Sequence, residues 1–142
     1  METKKILVTG GAGFIGTNLV NELESRGHEV FAIDLLNNER DDYARCDVRS
    51  IRQLKRVFEM RSFDYVYHLA AEYGRWNGED YYENLWETNV VGAKNVLRLQ
   101  EKLKFRMIFF SSGLGYIVAI SNCSSKVFLM VRASFNDFIT RL

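Results

Sequence analysis

TGGAGFIG, at residues 9–16, is the stretch of sequence that decides the fold of this chain. The residues before it, 5–9, form a short and mostly apolar run that is typical of a buried strand. The residues after it, 14–26, carry apolar side chains at helical spacing, and Gly27 marks a helix end. Glycines in this spacing let the backbone turn tightly, and no Cβ blocks the approach of a phosphate. The pattern predicts a turn that binds a dinucleotide pyrophosphate at the start of a helix.

Strands and helices alternate along the chain as far as residue 112. The predicted strands are 5–9, 29–34, 44–47, 63–69 and 105–111, and the predicted helices are 14–26, 51–60 and 80–104, with Ser50 able to cap the second helix. Strands joined by helical crossovers form a parallel sheet that is covered on both faces. We therefore expect an α/β fold with a Rossmann-type, doubly wound parallel sheet of about five to six strands, and a cofactor-binding domain over residues 1–112.

Asp34 closes the second predicted strand, 18 residues after Gly16. An acid about 20 residues beyond such a turn accepts a hydrogen bond from the ribose 2′-hydroxyl and repels a 2′-phosphate. The residue therefore favours NAD over NADP. Two alternatives stay open, since Asp34 could be a solvated strand-end residue and Arg40 lies close enough in sequence to meet a 2′-phosphate.

Composition sets the broad class of the protein. The chain has 142 residues, with 19 Lys+Arg against 18 Asp+Glu and a formal net charge of +1. This balance gives no indication of a nucleic-acid or membrane partner, and no apolar run approaches the roughly 20 residues of a membrane span. The two cysteines, Cys46 and Cys123, have no metal-binding or disulfide spacing, so we expect reduced thiols and a cytoplasmic protein.

Several further motifs give the chain a family resemblance over residues 4–112. They are the glycine turn at 9–16, Asp34, DVR at 47–49, YVYHLAA at 65–71, TNVVGAKNVL at 88–97 and FFSS at 109–112. With these motifs the chain resembles the extended short-chain dehydrogenase/reductase family, which contains the NAD-dependent nucleotide-sugar epimerases and dehydratases. The resemblance implies NAD as cofactor, a nucleotide-sugar substrate and hydride transfer between a sugar hydroxyl and NAD.

The resemblance also implies individual cofactor contacts. The pyrophosphate would meet the turn and the first helical residues, the adenine would meet the DVR motif, and the nicotinamide would approach the end of YVYHLAA and the long helix. In that order the residues are Gly10, Gly11, Gly13, Phe14, Ile15 and Gly16, then Asp47 and Val48, then Leu69, Ala70, Ala71 and Thr88. Two alternatives stay open: residues 69–71 could be strand-end packing, and Asp47 could cap the next helix. We interpret His68 as a packed strand residue, not as an acid or base. The loop residues Glu72, Tyr73, Arg75 and Trp76 could face substrate or solvent.

The family's catalytic pair is absent from this sequence. Its enzymes need a tyrosine and a lysine four residues later on one helix, because the lysine lowers the tyrosine pKa for proton transfer. None of the seven tyrosines has lysine at that spacing. Ser112 matches the catalytic serine in one alignment, whereas in another it is only a strand-end serine. We therefore expect this chain to be inactive by itself. A stand-alone NAD-binding module without catalysis is the alternative, and a poorly folding fragment is a third hypothesis.

The character of the sequence changes after Ser112. Residues 113–142 have no clear amphipathic period, and the resemblance stops within a strand–loop junction. A truncated reading frame with a frameshifted tail is the simplest hypothesis, and the complete lack of proline agrees with it. The rival hypothesis is a native tail that completes the sheet, with residues 127–131 as a sixth strand. Reading the DNA in the other frames would decide between them.

The predicted long helix carries two apolar stripes. One contains Leu85, Gly92, Val96, Leu99 and Leu103, and the other contains Trp86, Val90, Ala93 and Leu97. One stripe should cover the sheet. The family resemblance implies a possible homodimer through residues 80–104, and burial of both stripes within one subunit is the alternative.

Overall fold

The computed structural model describes residues 2–72, 82–111, 116–121 and 127–132. Along the chain its elements are β1 Lys5–Thr9, α1 Phe14–Ser25, β2 Glu29–Asp34, β3 Tyr43–Arg45, α2 Ile51–Met60, β4 Tyr65–His68, α3 Tyr82–Trp86, a π-helical turn Glu87–Gly92, α4 Ala93–Leu103, β5 Arg106–Ser111, β6 Tyr116–Ser121 and β7 Val127–Arg132. The predicted strands and helices up to residue 111 are all present, with ends shifted by one or two residues.

The described strands form one sheet in the order β3-β2-β1-β4-β5-β6-β7. The first five are parallel, which confirms the Rossmann-type α/β fold. The last two are antiparallel and extend the sheet beyond the predicted five to six strands. Residues 127–131 do form a strand, but it is the seventh strand and not the sixth, because residues 116–121 form a strand that the sequence did not predict.

Two apolar cores lie on opposite faces of the sheet. On one face, Leu7, Phe31 and Val66 pack with Leu54 of α2 and Val96 of α4. On the other, strand residues such as Val8 and Tyr67 pack with apolar side chains of α1, namely Leu19, Val20 and Leu23. Side chains alternate between the faces along each strand, which explains why β1 contributes to both cores. The crossovers thus bring the carboxyl ends of β1, β2 and β4 to one edge, where Thr9 pairs with Ile33 and His68.

The starts and ends of the helices follow local chemistry. Ser50 caps α2 as predicted, with its side chain accepting a hydrogen bond from the backbone N–H of Gln53. Gly27, at φ +82°, follows α1, which confirms it as the helix stop.

The long helix departs from the prediction in its middle. A π-helical turn interrupts it over Glu87–Gly92, so that its two apolar stripes do not run straight. Val96 and Leu99 cover the sheet, whereas Trp86 is 60% exposed and Val90 is 41% exposed. Burial of both stripes within one subunit is therefore wrong for these two residues. No described helix is both long and apolar enough to span a membrane.

Candidate cofactor site

The glycine turn packs too closely for any larger residue at its key positions. Gly10 has φ +72°, and a Cβ there would lie 2.8 Å from the backbone nitrogen of Ala70. A Cβ on Gly16 would lie 2.1 Å from the carbonyl oxygen of Gly10, and one on Gly11 would lie 2.6 Å from the Cβ of Ala32. The first turn of α1 therefore sits directly against the end of β1. The backbone N–H groups at the start of a helix have no carbonyl partner within the helix, so they are available to an anion.

Asp34 stands at the end of β2, beside this turn. Its Oδ2 accepts a hydrogen bond from the backbone N–H of Ala12 at 3.1 Å, and its Oδ1 accepts one from Leu35 at 2.7 Å. The side chain is therefore fixed at the mouth of the turn and is not a freely solvated strand-end residue.

Arg40 is the residue that, in the sequence, could have met the 2′-phosphate of NADP. In the structure its side chain is paired with other groups. Its guanidinium bonds the carboxylates of Glu24 and Asp42, the latter through Nε and Nη2 at 2.9 Å each. Its guanidinium is therefore already paired with two carboxylates, and this arrangement favours a ribose without a 2′-phosphate.

A cleft of about 260 Å³ runs across the carboxyl edge of the sheet between these groups. Nine of the residues predicted to bind the cofactor line it, and they are Gly10, Gly13, Asp34, Asp47, Val48, Leu69, Ala70, Ala71 and Thr88. The remaining four do not line the cleft. Gly11 and Gly16 are buried beneath the turn, and the side chains of Phe14 and Ile15 are exposed, at 88% and 50%, on the first turn of α1.

The DVR motif forms a short loop at one end of the cleft. Burial disfavours the ionised Asp47 carboxyl, but its hydrogen bonds with Arg49 outweigh this effect and keep its pKa below the usual range. Asp47 does not cap α2, because that position belongs to Ser50, so the capping alternative is wrong. Its backbone carbonyl instead accepts from the N–H of Ser50 at 3.0 Å.

His68 lies beneath the other end of the cleft and does not line it. The side chain is 2% exposed, stacks on Phe109 and shares a 2.8 Å hydrogen bond between Nδ1 and the Thr9 hydroxyl. Burial lowers its pKa to about 4, so the ring is neutral near pH 7. Among the described residues, its Nε2 is the one buried side-chain nitrogen or oxygen without a hydrogen-bond partner. The interpretation of His68 as a packed strand residue is confirmed.

The segment after β4 is held by the long helix. The side-chain amide of Asn89 accepts from the backbone N–H of Glu72 at 2.7 Å and donates to the Glu72 carbonyl at 3.1 Å. This pair of bonds holds the Glu72 backbone against the helix. Residues 69–71 line the cleft beside it, and their contact with the nicotinamide stays a prediction. Glu72 also lines the cleft, whereas Ser112, Tyr73, Arg75 and Trp76 lie outside the described residues.

Sequence reasoning missed other residues of the cleft wall. Ile33, Leu35 and Cys46 line it, and each is adjacent in sequence to a predicted site residue. That adjacency was the available signal. Burial raises the pKa of the Cys46 thiol to about 11, so it stays protonated and acts as a small apolar group.

The cleft fits a dinucleotide on the evidence of its own packing. The glycine turn leaves room for a phosphate against the backbone, and a fixed carboxylate lies on one side. Small side chains follow on the other side, so that a flat ring can lie along the wall. These features match the architecture that binds dinucleotides at the carboxyl edge of a doubly wound sheet.

Comparison with known proteins supports this interpretation. Residues 6–117 match the model of the NAD dependent epimerase/dehydratase family. The chain is 33% identical over 126 residues to a UDP-N-acetyl-alpha-D-glucosaminuronate decarboxylase of Bacillus cytotoxicus, covering 80% of this chain and 38% of that protein.

Two solved structures are similar to the fold. An epimerase of Methanothermobacter thermautotrophicus matches with TM-score 0.72 and 33% identity, covering 87% of this chain and 40% of that one. The enzyme WbmG of Bordetella bronchiseptica, solved in complex with NAD and UDP, matches with TM-score 0.68 and 29% identity, covering 80% and 39%. This chain thus spans about two fifths of the length of these proteins. It belongs to the NAD dependent epimerase/dehydratase family, whose cofactor is NAD.

Proposed function

We propose that this chain is the cofactor-holding portion of a nucleotide-sugar epimerase or dehydratase, in which hydride passes between a sugar hydroxyl and NAD. The observation that carries the proposal is the hydrogen bond between Asp34 and the turn residue Ala12, because it holds a carboxylate that would bind the ribose beside the amides that would bind the pyrophosphate. The names of the matched relatives, a uronate decarboxylase and epimerases, support a nucleotide-sugar substrate.

Each part of the cleft has a role in this proposal. The free N–H groups at the start of α1 would receive the pyrophosphate, because the helix dipole favours an anion there. Asp34 would accept from the adenosine ribose, and Asp47 with Val48 would border the adenine. Ala70, Ala71 and Thr88 would border the nicotinamide ring, which accepts the hydride when NAD is bound. The low polarity of this wall would keep water from the reacting carbon.

The proposal includes no turnover by this chain alone. Hydride transfer from a sugar hydroxyl needs a base for the hydroxyl proton, and no tyrosine here has a lysine four residues later. Ser112 would hold the sugar hydroxyl, but the sequence has no Tyr-x-x-x-Lys pair to take the proton of that hydroxyl. A stand-alone NAD-binding module is the second candidate, since the adenosine end of the cleft lies wholly within residues 10–48.

A calorimetric titration with NAD tests NAD binding, which both candidate functions require. We expect saturable binding and an increased melting temperature, since a ligand that binds only the folded state stabilises it. We expect no conversion of UDP-glucose. If well-folded protein gives no heat with NAD, both candidates fail.

A chimera separates the two candidates. Residues 1–111 of this chain would replace the matching part of the Methanothermobacter thermautotrophicus epimerase, which supplies the rest of the enzyme. Turnover of the parent epimerase's own substrate by the chimera supports the epimerase or dehydratase role. A folded chimera that binds NAD but has no turnover supports the stand-alone module. The unchanged epimerase is the positive control.

The proposal also includes a homodimer through the long helix. Trp86 and Val90 are exposed four residues apart on this helix, so they present one apolar strip to a partner. Light scattering should give the mass of a dimer, and Trp86→Glu should give that of a monomer. A monomeric mass for the unaltered chain would refute this part.

A further inference from the structure

The loop that carries Asp47 and Val48 is hydrogen-bonded to one buried side-chain amide of the long helix. Asn95 is 4% exposed, and its Nδ2 donates to the carbonyl of Val48 at 3.0 Å and to that of Arg49 at 2.9 Å. A side-chain amide has two N–H donors, and here both bond consecutive carbonyls of the same loop. The two bonds therefore hold the loop backbone at a fixed distance from the helix.

A second contact holds the loop against the same helix. A Cβ on Gly92 would lie 2.8 Å from Cγ2 of Val48, so the helix backbone approaches the loop as closely as its packing allows. Gly92 is the last residue of the π-helical turn, and Thr88 of the same turn lines the cleft. The same turn of the helix thus contacts the loop through Gly92 and the cleft through Thr88.

The surface contacts of the loop are weaker than this buried pair of bonds. Arg49 reaches Glu87 at 3.5 Å, but the two side chains are 32% and 54% exposed. Such an exposed pair contributes little, because water screens it. The Asn95 bonds hold the loop, since leaving the buried Val48 carbonyl and the part-buried Arg49 carbonyl without partners is costly.

We propose that Asn95 is a positioning residue for the adenosine end of the cofactor, which sets where Asp47 and Val48 lie in the cleft. This inference rests on the proposed NAD binding, because Asn95 itself does not line the cleft. Without its two bonds the loop can move away from the adenine while the rest of the fold persists. Affinity for the adenine half of the cofactor then falls.

Gln100 provides a matched control on the same helix. It is also 4% exposed, and its Nε2 donates to the backbone carbonyl of Phe105 at 3.2 Å. That carbonyl lies just before β5, away from the cleft. If both buried amides contribute only to stability, replacing either one by alanine should have the same effect on NAD affinity.

The test compares Asn95→Ala, Asn95→Ser and Gln100→Ala in the full chain. Calorimetry gives the Kd of NAD and of ADP, at a temperature well below the melting point of every variant. We expect lower melting temperatures for both alanine variants but a weaker NAD and ADP affinity, by about tenfold, only for Asn95→Ala. Asn95→Ser keeps one hydrogen-bond donor and is the second variant, and its affinity should lie between those of the unaltered chain and Asn95→Ala.

Two other outcomes separate the possible failures. Unchanged NAD and ADP affinity in both Asn95 variants, with normal binding by the unaltered chain, overturns the positioning role alone. Equal loss of affinity in Asn95→Ala and Gln100→Ala also overturns it, because the effect would then be one of general stability. No binding by the unaltered chain would refute the proposed function instead.

Discussion

Asp34 and Ala12 are joined by a hydrogen bond across 22 residues of sequence, from the Ala12 backbone N–H to Oδ2 at 3.1 Å. The bond ties the end of β2 to the glycine turn that follows β1. It fixes the carboxylate proposed to hold the ribose relative to the amides proposed to hold the pyrophosphate. A site arranged in advance loses less entropy when the ligand binds.

Replacing Asp34 by alanine should weaken NAD binding and reduce the ratio of NAD affinity to NADP affinity. A hydrogen bond to a charged group contributes about 1.5–3 kcal/mol, so the Kd of NAD should rise by about tenfold or more. The NADP affinity should fall less, because the repulsion of the 2′-phosphate is lost as well. Titration of both cofactors measures the ratio.

Arg40→Ala is the control for that measurement. Glu24 and Asp42 already hold the guanidinium, so its loss should leave the NAD to NADP ratio unchanged. A shift of the ratio in Arg40→Ala, or an unchanged ratio in Asp34→Ala, would contradict the assignment of cofactor selectivity to Asp34.

Two alanine substitutions in the glycine turn should have different effects. Gly16→Ala places a Cβ 2.1 Å from a backbone oxygen that cannot move away, so the cost should be about 3 kcal/mol or more. The Cβ of Gly13→Ala would lie 3.2 Å from the Gly10 carbonyl, which a small adjustment can relieve. The Gly13 variant should therefore fold and bind NAD weakly, since that residue lines the cleft.

Chemical denaturation measures the stability of the Gly16→Ala and Gly13→Ala variants, and titration with NAD measures their affinity. Gly27→Ala serves as the control, because nothing lies within 4 Å of its added Cβ and only the positive φ is strained. It should cost about 1–2 kcal/mol through left-handed backbone strain and leave NAD affinity unchanged. If the Gly16 variant is as stable as the Gly27 variant, the close approach of α1 to β1 is wrong.

The sequence predicted the front half of the fold because the local signals there agree with one another. The strand, glycine turn and helix of residues 5–26 each follow from periodicity and backbone chemistry, and Ser50 is an ordinary helix cap. The π-helical turn at Glu87–Gly92 was not predictable in this way, because its residues also fit a regular helix. Its position depends on tertiary contacts such as Gly92 against Val48.

The antiparallel strand β6 was missed for a different reason, whereas residues 127–131 of β7 were predicted as a strand under one of the two hypotheses for the tail. Residues 116–121 lack the alternation of apolar and polar side chains that predicts a strand, and β6 pairs with β5 in the antiparallel direction. Similarly, motifs predicted which residues line the cleft but not the amides that hold them. Asn89 and Asn95 act through backbone groups that are distant in sequence, so only the folded chain brings each to its partner.

The cap of α2 gives a stability prediction that is independent of the cofactor. Ser50→Ala removes the acceptor for the Gln53 N–H and should destabilise the chain by about 1 kcal/mol. Ser25→Ala is the control, because that hydroxyl bonds the Glu22 carbonyl at an exposed helix end. Urea denaturation should separate the two variants. Equal midpoints for the two would contradict the capping role.

His68 should make the stability of the chain depend on pH between 7 and 5. Burial lowers its pKa from 6.5 to about 4 in the folded chain, so over this range the unfolded chain binds more protons. Stability is therefore greatest above the unfolded pKa and decreases as the pH falls towards the folded pKa. The loss between pH 7 and 5 should be about 2 kcal/mol, and urea denaturation at each pH measures it.

The slope of stability against pH, and not its absolute value, identifies the residue. His68→Gln can destabilise the chain at every pH, because the buried hydrogen bond to Thr9 changes, but it should remove most of the slope. The control is His28→Gln, which leaves the buried ring in place and should keep the slope. If the slope is the same in the His68 variant, His68 is not the group that titrates. Carboxylates held by arginine, such as Asp47, contribute only at lower pH, because their pKa is depressed.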